Sequence, residues 1–343
     1  MKKEYNLFTH LHLHSMFSVL DGYGTPEQII TRAKELNFEA VAITDHGSVD
    51  GLIKAQRIAE KNNIKLVYGC ELYIVPNLYD KKKGEKRSHI TVWVINQLGW
   101  KNLLQMLTIA NAEGFYYRPR IDSQLLLEHC DGLVIGGACA STWMKEDWAI
   151  PLLESLIKKQ VTVVCEVMPF DDAEQKKINQ LMLHIADEYK LYTIATNDAH
   201  YVNADDAIAQ EAMLAIQSKA DWDDPKRWKF SVDGLYMRSE QEMVEAFKEQ
   251  GILTRRQIQT CIKNTQVVVD LCKDFKIEQQ KVKLPRLPFL GEDISDKEFL
   301  TTLIEKGFER KIASHEEIDK NLYRKRLEEE IEAIYEKGFE RYF

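Results

Sequence analysis

The chain has 343 residues and a formal charge of −8, with 45% hydrophobic and 29% charged residues. That length buries a substantial core, in two or three domains or in one barrel-sized domain with an appendage. The acidic balance counts against a non-specific nucleic-acid binder, which carries a basic excess. It does not count against an enzyme acting on nucleic acid, because a metal cluster adds positive charge outside the residue tally. No run approaches the apolar length needed to span a bilayer, and Met1-Lys2-Lys3-Glu4-Tyr5-Asn6 opens no signal-like apolar core. Cys70, Cys130, Cys139, Cys165, Cys261 and Cys272 show no CxxC spacing, so neither a disulfide framework nor a zinc knuckle is indicated. A reduced, cytoplasmic protein is expected.

The first element is the run ending in His10-Leu11-His12-Leu13-His14. Its alternation predicts a short strand with three imidazoles on one face, within about 14 Å. Imidazole is the commonest ligand for borderline metals, and a strand spaces two of them rigidly enough to share an ion. Tyr23-Gly24-Thr25-Pro26-Glu27 then reads as a turn, a Thr cap and a Pro at the first helical position. Ile29, Ile30, Ala33 and Leu36 mark that helix's buried stripe. A continuous apolar strand over 40–44 ends in Asp45-His46-Gly47, a helix follows over 51–62, and a strand over 65–75 carries Glu71. Strand and helix alternating at this pace give the βαβ rhythm of a parallel sheet or barrel.

A charged loop over 80–87 leads to a buried-type strand over 90–95, immediately after His89, and a helix over 96–112. Strands over 132–137 and 161–167, a helix over 173–189 and a strand over 191–196 follow. The first of these runs into Cys139, and the last ends in Asn197-Asp198-Ala199-His200. Seven strand–helix units are complete by about residue 218. In such a barrel the C-terminal ends of the strands carry the chemistry. His46, Cys139, Asp198 and His200 each follow the last apolar residue of a strand, and Glu71 sits near the end of its own. His89, which precedes its strand, is the awkward placement. Beyond Asp221 come loops, helices over 239–249 and 255–272, a proline-punctuated linker over 283–289, and helices over 295–312 and 317–336. The last keeps only Leu327, Ile331 and Ile334 as an apolar stripe and needs something to pack against.

The metal-competent residues are His12, His14, Asp21, His46, Glu71, His89, Cys139, Asp198 and His200. They are too many for one ion and suit two or three divalent ions sharing a bridging carboxylate, Glu71 or Asp198. Ligands of this softness fit zinc, manganese or iron better than magnesium. Singly, Asp45-His46-Gly47 reads as a turn and Cys139 as a small packed hydrophobe. Their recurrence at the strand ends of one barrel argues for a polynuclear site.

At this point the chain becomes recognisable. The signatures are Phe8-Thr9-His10-Leu11-His12-Leu13-His14-Ser15, Leu20-Asp21-Gly22, Thr44-Asp45-His46-Gly47 and Gly69-Cys70-Glu71. With them go Glu113-Gly114-Phe115-Tyr116-Tyr117-Arg118-Pro119-Arg120-Ile121, Ala195-Thr196-Asn197-Asp198-Ala199-His200-Tyr201 and Leu235-Tyr236-Met237. Over essentially its whole length the sequence resembles the N-terminal polymerase-and-histidinol-phosphatase (PHP) domain of bacterial replicative polymerases, the polymerase III alpha family. The run over 114–121 is peculiar to the polymerase branch and separates it from free-standing PHP phosphatases.

The resemblance implies an α/β fold, a distorted (β/α)7 barrel of the PHP type followed by a helical extension. It implies a PHP domain over 1–280, with the barrel core at about 5–218, and a linker and helices over 281–343 similar to the start of a polymerase palm. It places the metal ligands on the same nine positions. The implied activity is metal-dependent phosphodiester hydrolysis, a 3′–5′ exonuclease on DNA, with Glu71, Asp198, His12 and His14 at the catalytic core. Arg118 and Arg120 are expected to clamp phosphate, and His10 to support a ligand by a hydrogen bond. Expected partners are DNA, the remainder of a polymerase III alpha-like chain and replisome components, with no membrane. The polymerase's catalytic aspartates would lie beyond residue 343, so no polymerisation is expected of this chain by itself. One departure is that the family often has Glu-x-x-x-His after the sixth strand, where this sequence has Glu166-Val167-Met168-Pro169-Phe170. Two other readings stay open: a phosphomonoesterase of histidinol-phosphatase type, and a structural module that carries metal without turnover.

Overall fold

The computed structural model describes residues 6–84, 86–278, 294–313 and 315–343, and the chain divides after Ile277 into two compact units. The linker expected over 283–289 lies outside the described residues. The first unit begins with α1 (Pro26–Glu35), whose Thr25 side chain accepts from Gln28 N while the Gln28 side chain returns to the Thr25 backbone. This reciprocal cap satisfies two end donors, and Pro26 lacks one that would be orphaned there anyway.

There follow β1 (Ala40–Ile43), α2 (Leu52–Asn62), β2 (Lys65–Val75), β3 (Ser88–Val94) and α3 (Gln97–Ala112). Next come β4 (Arg120–Asp122), α4 (Ser123–His129), β5 (Leu133–Gly136), α5 (Ala149–Lys158) and β6 (Thr162–Val167). The unit closes with α6 (Ala173–Tyr189), β7 (Tyr192–Ala195), α7 (Ala207–Ser218), α8 (Glu240–Gln250) and α9 (Arg255–Cys272). The sequence pattern missed β4, which has three residues, two of them charged. It also missed α4 and α5, the latter a helix with a proline in its first turn.

The sheet runs β1-β2-β3-β5-β6-β7, with β4 added beside β2. It curls into a partly closed barrel. Backbone hydrogen bonds from the 10–14 segment bridge its seam. Ala42 N donates to His10 O and Thr44 N to Leu13 O on the β1 side, both at 2.8 Å. On the other side His14 N donates to Ala199 O at 2.8 Å and Ala199 N to His12 O at 3.2 Å. The segment is therefore not the regular strand its alternation predicts. The chain bends at His12, and the face that should hold all three imidazoles loses His10.

One strand breaks the parallel rhythm. β3 runs antiparallel to both β2 and β5. His89 lies inside β3, near its start, and the start of an antiparallel strand falls at the end of the sheet where its neighbours finish. That resolves the awkward placement noted from the sequence.

The period of two orders the barrel interior into layers. Leu11, Ala42, Val67, Trp93, Val134, Val164 and Ile194 form the apolar floor, closed by Val268, Val269 and Cys272 of α9. Two residues along the same faces lie Gly69, Thr91, Gly136, Glu166 and Thr196, and two further along β2 and β3 lie Glu71 and His89. A larger cluster fills the space between sheet and helices, from Phe8 and Phe38 to Phe275.

In the second unit, α10 (Asp296–Phe308) and α11 (Lys320–Glu336) are tied together by Arg324 on Glu305 at 2.8 Å and Thr301 on Tyr335 at 2.6 Å. Leu327, Ile331 and Ile334 are half-buried, so the thin stripe of α11 is partly covered. Among the described residues no helix is long and apolar enough to cross a membrane.

Gly136 tests the layering. A Cβ there would stand 2.0 Å from Thr91 Oγ1 and 2.5 Å from Glu166 Oε1, in the narrow middle layer. Gly136→Ala is expected to cost about 1–3 kcal/mol by overpacking. Chemical denaturation checks it: an unchanged midpoint would mean the interior is looser than these distances imply.

Candidate metal centre

Glu71 sits at the middle of the barrel mouth, 1% exposed, with four imidazoles around one carboxylate. Oε1 lies 3.3 Å from His12 Nε2 and 3.0 Å from His89 Nδ1. Oε2 lies 3.3 Å from His14 Nε2 and 2.7 Å from His46 Nδ1. Asp198 forms a second focus, its Oδ1 at 3.2 Å from His12 Nε2 and 3.1 Å from His14 Nε2. Its backbone is held in the left-handed region at φ 42°, a conformation that non-glycine residues keep only when their surroundings fix it. Asp21 faces His46 at 3.3 Å and His200 at 3.7 Å. Cys139 Sγ lies 3.5 Å from His89 Nδ1 and 3.8 Å from Glu71 Oε1. All nine predicted ligands are thus brought to one end of the fold. Three overlapping groups have ligand atoms close enough to share an ion: His14/His46/His200, His12/His14/Glu71/Asp198 and His46/Glu71/His89.

The hydrogen-bond partners fix the tautomers of three imidazoles. His12 Nδ1 donates to Glu166 Oε2 at 2.9 Å. His200 Nδ1 donates to the Asp198 carbonyl at 2.8 Å. His14 Nδ1 meets Ser18 Oγ at 2.9 Å, and that hydroxyl spends its own proton on Asp45 Oδ1, so the imidazole is the donor. Each ring then aims its Nε2 lone pair into the mouth, among carboxylates. Lone pairs facing carboxylates repel unless a proton or a cation stands between them. His12 Nε2, His46 Nδ1, His200 Nε2, Asp21 Oδ1 and Glu71 Oε2 are fully buried without a hydrogen-bond partner. Orphaned buried donors and acceptors are rare in folded proteins, and here they converge on one space. The donor set therefore fits divalent ions.

Electrostatics agree. Burial would raise the Glu71 carboxyl, yet His89, His12 and His46 hold it well below the usual range. Burial opposes the ionised Asp21 too, but His200 and His46 bring it down to about 2. Asp198 is lowered against the same burial penalty, mainly by His12 and His200. His12 and His46 go the other way: burial disfavours their charge, but Asp198 and Glu71 for His12, and Glu71 for His46, raise them well above the ordinary imidazole value. Burial, then the charges of Glu71 and Asp198, push the Cys139 thiol far up. A bound divalent cation would reverse that balance and favour the thiolate.

Glu166 was missed as a site residue, although a carboxylate near the end of the otherwise apolar strand run over 161–167 is a legible signal. It orients His12, and its other oxygen accepts from Thr91 Oγ1 and from Ala138 N at 2.8 Å. Asp45 and Ser15 belong to the recognised signatures but act as staples. Asp45 accepts from Ser15 N at 2.7 Å, Ser15 Oγ at 2.7 Å and Ser18 Oγ at 2.8 Å, holding the 15–18 loop under His14.

Two expectations are corrected. His10 supports no ligand: its ring packs on Phe8 and Phe38, and its Nε2 meets the Arg238 carbonyl at 2.9 Å. Arg120 clamps no phosphate, because it is fully buried and donates to the carbonyls of Gly114, Asp80 and Leu78 at 2.8–2.9 Å. Arg118 remains half-buried at the rim, its guanidinium 5.9 Å from the Tyr73 ring, which in turn stacks on His46.

Residues 10–146 match the family model of the PHP domain, and the curled barrel with its metal-competent mouth is the structure of a PHP domain. The DNA polymerase III alpha subunit of Treponema pallidum is 29% identical over 98% of this chain and 29% of its own length. That of Thermus aquaticus is 35% identical over 69% of this chain and 21% of its own, and that of Borreliella burgdorferi is 32% identical over 98% and 29%. This chain carries a PHP domain homologous to the N-terminal region of bacterial DNA polymerase III alpha subunits. It spans less than a third of the length of these curated relatives.

Removing Glu71 or Asp198 leaves cations unbalanced and imidazoles mutually repulsive. Glu71→Ala and Asp198→Ala are expected to lower bound metal, read by elemental analysis of the purified chain. Glu166→Gln keeps the shape but weakens the hold on His12, for an expected loss of about 10–100-fold in metal affinity. Full metal content in the first two would remove them from the ligand set.

Proposed function

We propose that the barrel mouth is a polynuclear metal site, with zinc, manganese or iron as the ions, that hydrolyses a phosphodiester at a DNA 3′ end. The observation that carries this is the convergence of three tautomer-fixed Nε2 atoms and three carboxylates on one buried space, with five polar atoms left unpartnered. Bound divalent ions would supply Lewis acidity toward the phosphate and a water of lowered pKa. His12, His14, Glu71, Asp198, Asp21, His46, His89, His200 and Cys139 are the residues that would hold them. Glu71 and Asp198 each face more than one imidazole and are placed to bridge. While they ligate, none of these groups is free to move a proton. Arg118 is the cation placed to meet a substrate phosphate from the rim. Tyr73, whose ring lies 5.9 Å from the Arg118 guanidinium, packs edge-on to His89 and holds that wall of the mouth.

The test combines metal analysis with digestion of a 5′-labelled single-stranded oligonucleotide. The wild-type chain is expected to shorten it from the 3′ end, to lose activity in EDTA and to regain it with one of the named metals. Asp198→Asn is expected to lose at least about 100-fold, as removal of an essential charge-stabilising group does. Turnover of a small phosphomonoester without cleavage of the oligonucleotide would replace this reading with the phosphatase one. Full metal with neither activity would make the domain structural.

The second unit supports a partner within a longer polymerase III alpha-like protein. Leu303, Leu322, Phe339, Tyr342 and Phe343 are exposed large hydrophobics in so small a unit, and the relatives continue well beyond the matched length. Co-expression with the remaining part of such a polymerase is expected to give a stable complex that incorporates nucleotides. A chain that stays monomeric in its presence would reject the partnership.

A further inference from the structure

The cavity over the metal centre measures about 350 Å³, within the small-ligand range. One wall is the ligand set. The opposite wall is a span of the 221–235 loop that the hydrolytic reading does not use, carrying Trp228, Lys229 and Phe230. The loop is anchored on both sides of that span. Arg227 donates to the Trp222 carbonyl at 2.9 Å, lies over the Trp222 ring at 4.5 Å and pairs with Glu211. On the other side Asn197 Nδ2 donates to the carbonyls of Gly234 at 2.9 Å and Tyr236 at 2.8 Å, and His200 N donates to Leu235 O at 2.7 Å. The residues beside Asp198 thus fix where this wall stands.

From the metal ligands outward the wall is a ladder of rings. Phe230 sits edge-to-face on His200 with centroids 4.7 Å apart, and Trp228 edge-to-face on Phe230 at 5.0 Å. Trp228 is 54% exposed, so a large indole stands open at the cavity's rim. Lys229 beside it is 64% exposed on its side chain and only 4.0 Å from its nearest carboxylate, Glu211. The acidic groups that share the lining are engaged: Asp172 caps α6, and Glu174 lies 3.3 Å from Lys145.

We infer that Trp228 is the stacking platform for the nucleobase next to the scissile phosphate, with Lys229 on the neighbouring backbone phosphate. A nucleotide separates phosphate from base by one ribose, and the ladder separates the ligand cluster from the rim by one ring, Phe230. An indole face offers no hydrogen-bond pattern to distinguish bases, so recognition there is sequence-tolerant, the usual mode for single strands. The substrate class is therefore an unpaired 3′ end rather than a duplex, whose terminal base is already stacked on its neighbour. This inference rests on the phosphodiesterase reading for the identity of the phosphate, but its test does not depend on turnover.

The measurement is fluorescence anisotropy of a 5′-labelled oligothymidylate whose last linkage is a phosphorothioate, titrated with the metal-loaded chain. Trp228→Ala is expected to weaken binding about 5–150-fold, the equivalent of one lost base–aromatic stack, and Trp228→Phe to restore most of it. Replacing the terminal residue by an abasic one should weaken wild-type binding by a similar factor and leave the Trp228→Ala variant unaffected. Lys229→Ala should lower the slope of log affinity against log salt by about 0.7. Equal binding by wild type and Trp228→Ala, an equal loss in both on base removal, or no binding by wild type would each overturn the subsite. Base-dependent binding without cleavage of the ordinary oligonucleotide would sink the exonuclease reading alone. Cleavage without base dependence would sink the subsite alone.

Discussion

A single buried carboxylate with four imidazoles on it sets the terms for the whole barrel mouth. Glu71 is enclosed by His12, His14, His46 and His89 at 2.7–3.3 Å, and neither full protonation nor full neutrality of the four rings suits that arrangement. Protonating every ring stacks positive charges, with the His14 and His46 centroids only 4.1 Å apart. Leaving the rings neutral sets lone pairs against carboxylate oxygens. The carboxylate cannot simply relax into water, and removing an ion from water costs several kcal/mol even after relaxation. Divalent cations would satisfy both sets of lone pairs together. Ion binding and the local fold of the mouth are therefore linked equilibria, and the free energy of one appears in the stability of the other.

That centre needs a polar middle layer to stand on. Below Glu71 and His89 the interior holds Thr91, Glu166 and Thr196, and only below these the apolar floor around Trp93. Glu166 passes the constraint upward: anchored by Thr91 and by the Ala138 backbone, it dictates which nitrogen of His12 carries the proton. Gly136 leaves the room in which Thr91 and Glu166 meet. The antiparallel β3 belongs to the same logic, since only a reversed strand can bring a residue from its beginning to the end where the parallel strands deliver theirs.

Much of this was legible in the sequence because residue chemistry and strand ends coincide. The bounds of β2, α6 and α9 follow from apolar runs and periodicity, and the gathering of His46, Glu71, Cys139, Asp198 and His200 from their position at strand ends. What escaped did so for identifiable reasons. Strand direction is invisible to periodicity, so His89 looked misplaced. A bend at His12 is invisible to alternation, so His10 was put on the wrong face. Arg120 was read by its charge, whereas its surroundings are the carbonyls that a short strand and its neighbouring loops leave unpaired. Glu166 was weighed only as a departure from a motif; its place in an apolar run was legible, but its partners His12, Thr91 and the Ala138 backbone, which give it a role, come only with the fold.

The net charge of −8 and the polyanionic substrate proposed above are reconciled at the mouth itself. Asp21, Glu71, Glu166 and Asp198 place four carboxylates in and just beneath it. Two divalent ions would cancel the four carboxylates, and a third would leave a positive excess even against the Cys139 thiolate, in a low-dielectric pocket where it counts for most. Attraction for substrate is then a property that the ions confer rather than one spread over the surface. On the proposed function, Arg118 beside Tyr73 and Lys229 at the cavity's edge are the cations at which an acidic protein would meet a strand of phosphates.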